Sequence, residues 1–212
     1  KNNFNKKRLD ILNILKKNII IDGWNENLFK KNKVIKKYTK REIVSLFPEG
    51  YTSLLKFYLS NADNEMVQGC QKLNLAKIRT HEKVNAIILL KLKMNQRDKD
   101  LVKRTFFTLL LPHHSKLLTY SIHNTVNKIW YIIGDLSKDY NYYSKRFILA
   151  SIYSTTVFYW LNNKTFEQTK IYLDKKLQTI SKIPKIKKRI KLTLNKVPKV
   201  YSFAKNIANF MQ

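Results

Sequence analysis

Side chains able to do chemistry are few in this chain, and their spacing is unhelpful to a catalyst. His113 and His114 are adjacent, and neighbours on a helix point about 100° apart, so the two cannot readily share a metal. His81 and His123 have no Cys, His or carboxylate three or four residues away, the spacing a helical metal site would use. No Glu-x-x-His pair of the di-iron bundle kind is present. A Gly-x-Ser-x-Gly elbow and a glycine-rich phosphate loop are both missing. Asp135 and Asp139 are the one close carboxylate pair in an unusual setting, and their residue types fit a turn and a helix cap. Cys70 is the only cysteine, which excludes an intramolecular disulfide and suits a reducing compartment; it reads as a small buried hydrophobe. The expectation is a non-enzymatic protein with no catalytic residue, no metal and no cofactor.

The elements that must position any site read as helices throughout. Apolar residues make up 44% of the 212, which rules out disorder as the default, and 4 Gly with 4 Pro are too few for a barrel or sandwich. Leu9, Leu12, Leu15 and Ile19 mark a first helix ended by Asp22-Gly23, and a short second one follows Trp24-Asn25. Thr39 with Glu42 three residues on forms a capping box for a third. Beyond Phe47-Pro48-Glu49-Gly50 the pattern gives longer helices, through Leu54 to Met66, Ile78 to about Met94, Asp98 to Leu111, Ser115 to Ile133 and Asn141 to Leu161. One more follows Thr165. The class is all-α, with residues 1–50 as an N-terminal half, 51–182 as a bundle and 183–212 as a tail. The apolar stretches Ala86 to Leu92 and Phe106 to Pro112 fall well short of the roughly 20 residues a membrane span requires. Lys1 to Arg8 does not read as a signal peptide.

The net charge of +28 has two readings. One is a polyanionic partner, nucleic acid or an anionic membrane. The other is compositional, because only 7 of the 42 basic residues are Arg and Asn and Ile are abundant, as biased codon usage would produce. Arginine is the preferred phosphate ligand, so its scarcity weighs against nucleic acid.

Between Gly134 and Thr156 the chain reads GDLSKDYNYYSKRFILASIYSTT. A loop of turn formers leads into a helix that starts with Tyr142 and Tyr143 between Asp139 and the pair Lys145-Arg146. Aromatics beside charges of both signs have the character of a contact surface. The whole stretch closely resembles the signature of the Coq-nine family of ubiquinone-biosynthesis proteins. In that signature an aspartate-rich turn leads into Asn, two aromatics, a hydroxyl residue, a basic pair and an Ile-Tyr-x-Thr-Thr run, here Asn141 to Tyr143, Ser144, Lys145-Arg146, Ile152-Tyr153 and Thr155-Thr156. Leu111-Pro112-His113 is similar to another family element, a structural turn. The first 50 residues resemble the helix-turn-helix half of TetR-type regulators, but Arg41 stands where a small glycine is expected and Val44 where a phosphate-contacting tyrosine is. The resemblance thus implies a TetR-like fold that does not serve as a repressor; a DNA-binding TetR-type regulator is the alternative.

Helices around Phe106, Phe107, Leu110, Leu118, Ile122, Trp130, Ile148, Ile152 and Phe158 are apolar over much of their circumference, which makes them core or the walls of a cavity. The family resemblance implies the second, a pocket for an isoprenoid quinone lipid. It also implies that Asp135, Asp139, Tyr142, Tyr143 and Arg146 face a partner, the di-iron demethoxyubiquinone hydroxylase, and that the protein is a homodimer. From Ser181 to Lys199 no acidic residue occurs. Ile186, Ile190 and Leu194 lie on one apolar stripe, with Lys187, Lys188, Arg189 and Lys191 mainly around the rest. This is either an interfacial helix against anionic head groups or a solvated helix packing its stripe on its own core. The resemblance favours membrane docking, on the cytoplasmic face of a bacterial inner membrane or, alternatively, the matrix side of a mitochondrial one.

Overall fold

A computed structural model of the chain describes residues 2–135 and 140–179. All regular elements among them are helical: α1 (Asn2–Asp22), a 3-10 turn (Glu26–Lys30), α2 (Asn32–Ile35), α3 (Lys40–Leu46), α4 (Tyr51–Cys70), α5 (Thr80–Met94) and α6 (Lys99–Leu109). A second 3-10 turn (Pro112–His114) leads to α7 (Ser115–Ile133) and α8 (Tyr140–Asn162), and α9 covers 166–179. The all-α class read from the sequence therefore holds. Ile186, Lys187, Lys188, Arg189, Ile190, Lys191 and Leu194, read from the sequence as a membrane-docking stripe, together with Asp139, lie outside the described residues.

Local chemistry explains most boundaries. Gly23 ends α1 at φ +80°, a conformation that costs a residue with a Cβ, and its N–H still reaches the Ile19 carbonyl at 2.9 Å. The Thr39–Glu42 capping box forms as read: the Glu42 N–H donates to Thr39 Oγ1 at 3.3 Å and the Thr39 N–H to Glu42 Oε2 at 3.0 Å. Lys7 bonds the same Glu42 carboxylate, and with the Thr39 bonds it brings that acid down to about 2. Where the sequence suggests one short helix after Trp24, the chain instead makes a 3-10 turn and then the four-residue α2.

Two apolar clusters share α4 and α6. Around one, Ile11, Leu12, Leu15 and Ile19 of α1 pack with Leu28, Leu46, Phe47, Leu54, Leu55 and, from α6, Leu101 and Leu109. The other gathers Met66, Ile87, Ile88, Leu92, Ile129, Leu149, Trp160 and Leu173. The indole N–H of Trp24 donates to Thr105 Oγ1 of α6 at 3.1 Å, and Lys16 pairs with Asp98 at 2.5 Å. These contacts fasten the N-terminal helices to the bundle. His114 is buried beneath Tyr51, 3.3 Å from its hydroxyl, which makes the Leu-Pro-His turn a packing element.

Candidate functional site

Helices α4 to α8 enclose a cavity of about 350 Å³, the size at which small-ligand pockets begin. Its walls are mainly apolar, with Leu92 from α5, Val102 and Phe106 from α6, Leu117, Leu118 and Ile122 from α7, and Val157 and Trp160 from α8. The exposed Lys56, Ser60 and Tyr120 also border it, which sets the mouth between α4 and α7.

The wall carries one buried polar cluster. Asp63 of α4 is 4% exposed and Lys91 of α5 is 7% exposed, and Lys91 Nζ donates to Asp63 Oδ1. Thr125 Oγ1 of α7 donates to that same oxygen at 2.8 Å and lies 3.4 Å from Lys91 Nζ. The second carboxylate oxygen has Lys128 Nζ at 3.9 Å, too far for a hydrogen bond. Tyr153 of α8 lies beside the pair, with Lys91 Nζ 5.8 Å from its ring centre. Burial pushes Lys91 down, but Tyr153 and the Asp63 carboxylate outweigh it and hold the ammonium above its ordinary value. Burial pushes Tyr153 up, against the pull of Lys91.

Helical phase put these groups there. Lys91 follows Val84, Ile87 and Ile88 at seven, four and three residues, while Asp63 precedes Met66 and Cys70 at three and seven. Each charge thus occupies a position its helix otherwise gives to a buried apolar side chain.

Of the residues read from the sequence as pocket walls, Phe106, Leu118 and Ile122 line the cavity. Trp130 and Ile152 are buried in the bundle core. Phe107 on α6, Leu110 just past its end, and Ile148 and Phe158 on α8 are exposed, Phe158 sitting 6.1 Å from Phe106.

A second feature is the α7–α8 hairpin. Gly134 ends α7 in the left-handed region at φ +83°, and the Asp135 N–H donates back to the Trp130 carbonyl at 3.1 Å. Asp135 then pairs with Lys145 of α8 at 3.0 Å. Arg146 stacks its guanidinium 3.3 Å over the Tyr142 ring and donates from Nε to Asn127 Oδ1 of α7 at 2.5 Å. Asp135 and Arg146 therefore act as a clamp that holds the two helices together. Tyr143 is 73% exposed and Phe147, one turn on, 78%, so both present aromatic surface outward. Phe147 is the more exposed of the two. It lies two positions before the buried Leu149, which places it on the opposite side of α8.

Residues 116–184, which span α7, α8 and α9, match the COQ9 family. The bovine protein named "Ubiquinone biosynthesis protein COQ9, mitochondrial" is 30% identical over 92 residues, 42% of this chain and 29% of the relative. Its human counterpart is 29% identical over a stretch of the same extent. A Dictyostelium discoideum coq9 protein is 25% identical over 142 residues, 66% of this chain and 45% of its own length. The chain thus spans less than half the length of these curated relatives. The signature from Gly134 to Thr156 lies within the matched segment, so the likeness to COQ9 proteins is carried by the last helices of the bundle.

Proposed function

We propose that this protein serves ubiquinone biosynthesis as a non-enzymatic lipid-binding accessory. It takes an isoprenoid quinone precursor from a membrane and presents it to the di-iron demethoxyubiquinone hydroxylase. The observation that carries this reading is the apolar cavity, whose α7 and α8 walls fall inside the segment matching the COQ9 family. A polyprenyl tail drawn from a bilayer needs such shelter, since each exposed CH₂ costs about 0.8 kcal/mol. Among the described residues no helix is long and apolar enough to cross a membrane, so the basic tail supplies peripheral attachment in this scheme. The relatives carry the mitochondrial label, which favours the matrix side of the inner membrane over a bacterial membrane. Pairing through the last bundle helices would complete a homodimer. The repressor alternative is not favoured: the matched family is COQ9, and α3 exposes Arg41 and Val44 where a groove-reading helix would carry the small glycine and the tyrosine.

Native mass spectrometry with lipid extraction, on protein from a quinone-making host, tests the pocket. A co-purified polyprenyl quinone or related isoprenoid is expected. Lipid-free protein that retards promoter DNA at physiological salt would overturn the reading.

The partner surface makes a separate prediction. Replacing Tyr142 and Tyr143 by Ala should weaken hydroxylase binding in a titration about tenfold or more, as loss of aromatic anchors does, while the helical circular dichroism stays unchanged. Unaltered hydroxylase affinity would remove these tyrosines from the interface.

A further inference from the structure

The cavity is apolar over most of its wall, yet a charged pair is buried in it. A pair that served stability alone has little reason to persist there, because replacing a buried ion pair with apolar residues of similar volume is often neutral or stabilising. Nor does the cluster use its full hydrogen-bonding capacity. Asp63 Oδ1 accepts from both Lys91 and Thr125, whereas among the described residues Oδ2 has only Lys128 at 3.9 Å. A carboxylate oxygen beside an apolar cavity, without a close donor, is a ready acceptor for a ligand hydroxyl. Lys91 and Tyr153 line the same cavity, and both can donate to that ligand's oxygen.

We infer that Asp63, Lys91, Thr125 and Tyr153 form a polar head-group subsite in the cavity wall, built for the hydroxyl of a phenol or hydroquinone whose apolar tail occupies the remainder. The inference rests on the lipid-pocket reading above and deepens it. An aromatic hydroxyl both donates, to Asp63 Oδ2, and accepts, from Lys91 or Tyr153. A carbonyl or methyl ether can only accept. A carboxylate head would set a second negative charge against Asp63. The subsite therefore selects the hydroxylated head over its oxidised or methylated forms.

Three probes with the same twelve-carbon tail separate the possibilities: 4-dodecylphenol, 4-dodecylanisole and dodecylbenzene. Their binding to the full chain is followed by calorimetry at fixed detergent concentration. The expected order is phenol, then anisole, then dodecylbenzene, with the phenol about tenfold or more tighter than dodecylbenzene, as charge-assisted hydrogen bonds allow. In the paired variant Asp63→Leu with Lys91→Met, the preference should disappear while dodecylbenzene still binds. Tyr153→Phe, which removes a single hydroxyl and spares the ion pair, should reduce the preference in part. Equal affinity of the wild type for all three probes would overturn the head-group subsite and leave the pocket standing. Failure of every probe to bind would overturn the pocket reading itself.

Discussion

Lys91→Met should lower the stability of the protein by about 3–5 kcal/mol, because it leaves the Asp63 carboxylate buried without its cation. Thr125 still donates to Asp63 Oδ1, and Lys128 at 3.9 Å is too far and too exposed to replace the lost ammonium. Combining Lys91→Met with Asp63→Leu removes the stranded charge, so the pair should return most of the stability that the single change loses. This contrast marks a buried ion pair, since a cavity-forming substitution would add to its neighbour's cost. Lys91 titrates above its ordinary 10.5: burial alone would lower it, but Tyr153 and Asp63 outweigh burial. A lysine raised on folding contributes fully below its unfolded value and loses that contribution as pH climbs through the folded one. The difference between wild type and Lys91→Met should thus be constant from neutral pH to about 10 and shrink only above 10.5. Urea unfolding at pH 7, 9 and 11 measures it. A single-variant loss under about 1 kcal/mol at pH 7 would mean that water already reaches the pair.

Much of the fold was legible because helix signals are local. The Thr39–Glu42 box, the Asp22-Gly23 stop and the Pro112 break all act within one turn of the boundary they set, and each boundary lies where its signal stands. The cavity was harder to read. On α8 apolar residues surround the axis, so their phase does not say which face turns inward; Val157 lines the space while Phe158 faces out. Only packing against α5, α6 and α7 decides between them. The polar cluster did leave a trace: Lys91 interrupts the inward stripe of α5 and Asp63 that of α4, one charge of each sign. Neither is notable alone in so charged a chain, and they are 28 residues apart in sequence. Their pairing depends on α4 lying against α5, a tertiary fact. At the hairpin, sequence similarity marked Asp135 and Arg146 as partner residues; both also bond across the hairpin, and Tyr143 and Phe147 are more exposed than either, which only packing reveals.

Replacing Lys187, Lys188, Arg189 and Lys191 together by Gln should weaken binding to anionic vesicles about a thousandfold. Each basic residue near an anionic leaflet contributes on the order of 1 kcal/mol, so four give about 4 kcal/mol. Sedimentation with phosphatidylcholine vesicles containing about one third cardiolipin or phosphatidylserine reads the loss. The apolar stripe of Ile186, Ile190 and Leu194 remains in this variant, so weak binding to neutral vesicles should be unaltered. Exposed charges are screened beyond about 8 Å at physiological salt, so the wild type should also release from anionic vesicles as salt rises, and the variant should respond far less. The decisive comparison is a second variant with Lys33, Lys36, Lys72 and Lys77 changed to Gln, all exposed on the bundle and its N-terminal half. It loses the same net charge from a different place. If the +28 acts only as a diffuse field, both variants lose affinity alike, and the tail has no special claim on the membrane. If the tail docks, the second variant keeps nearly all of its affinity, because lysines held away from the leaflet lie outside its field. A lysine-rich codon bias can supply all of these residues, but it cannot make four of them matter more than another four.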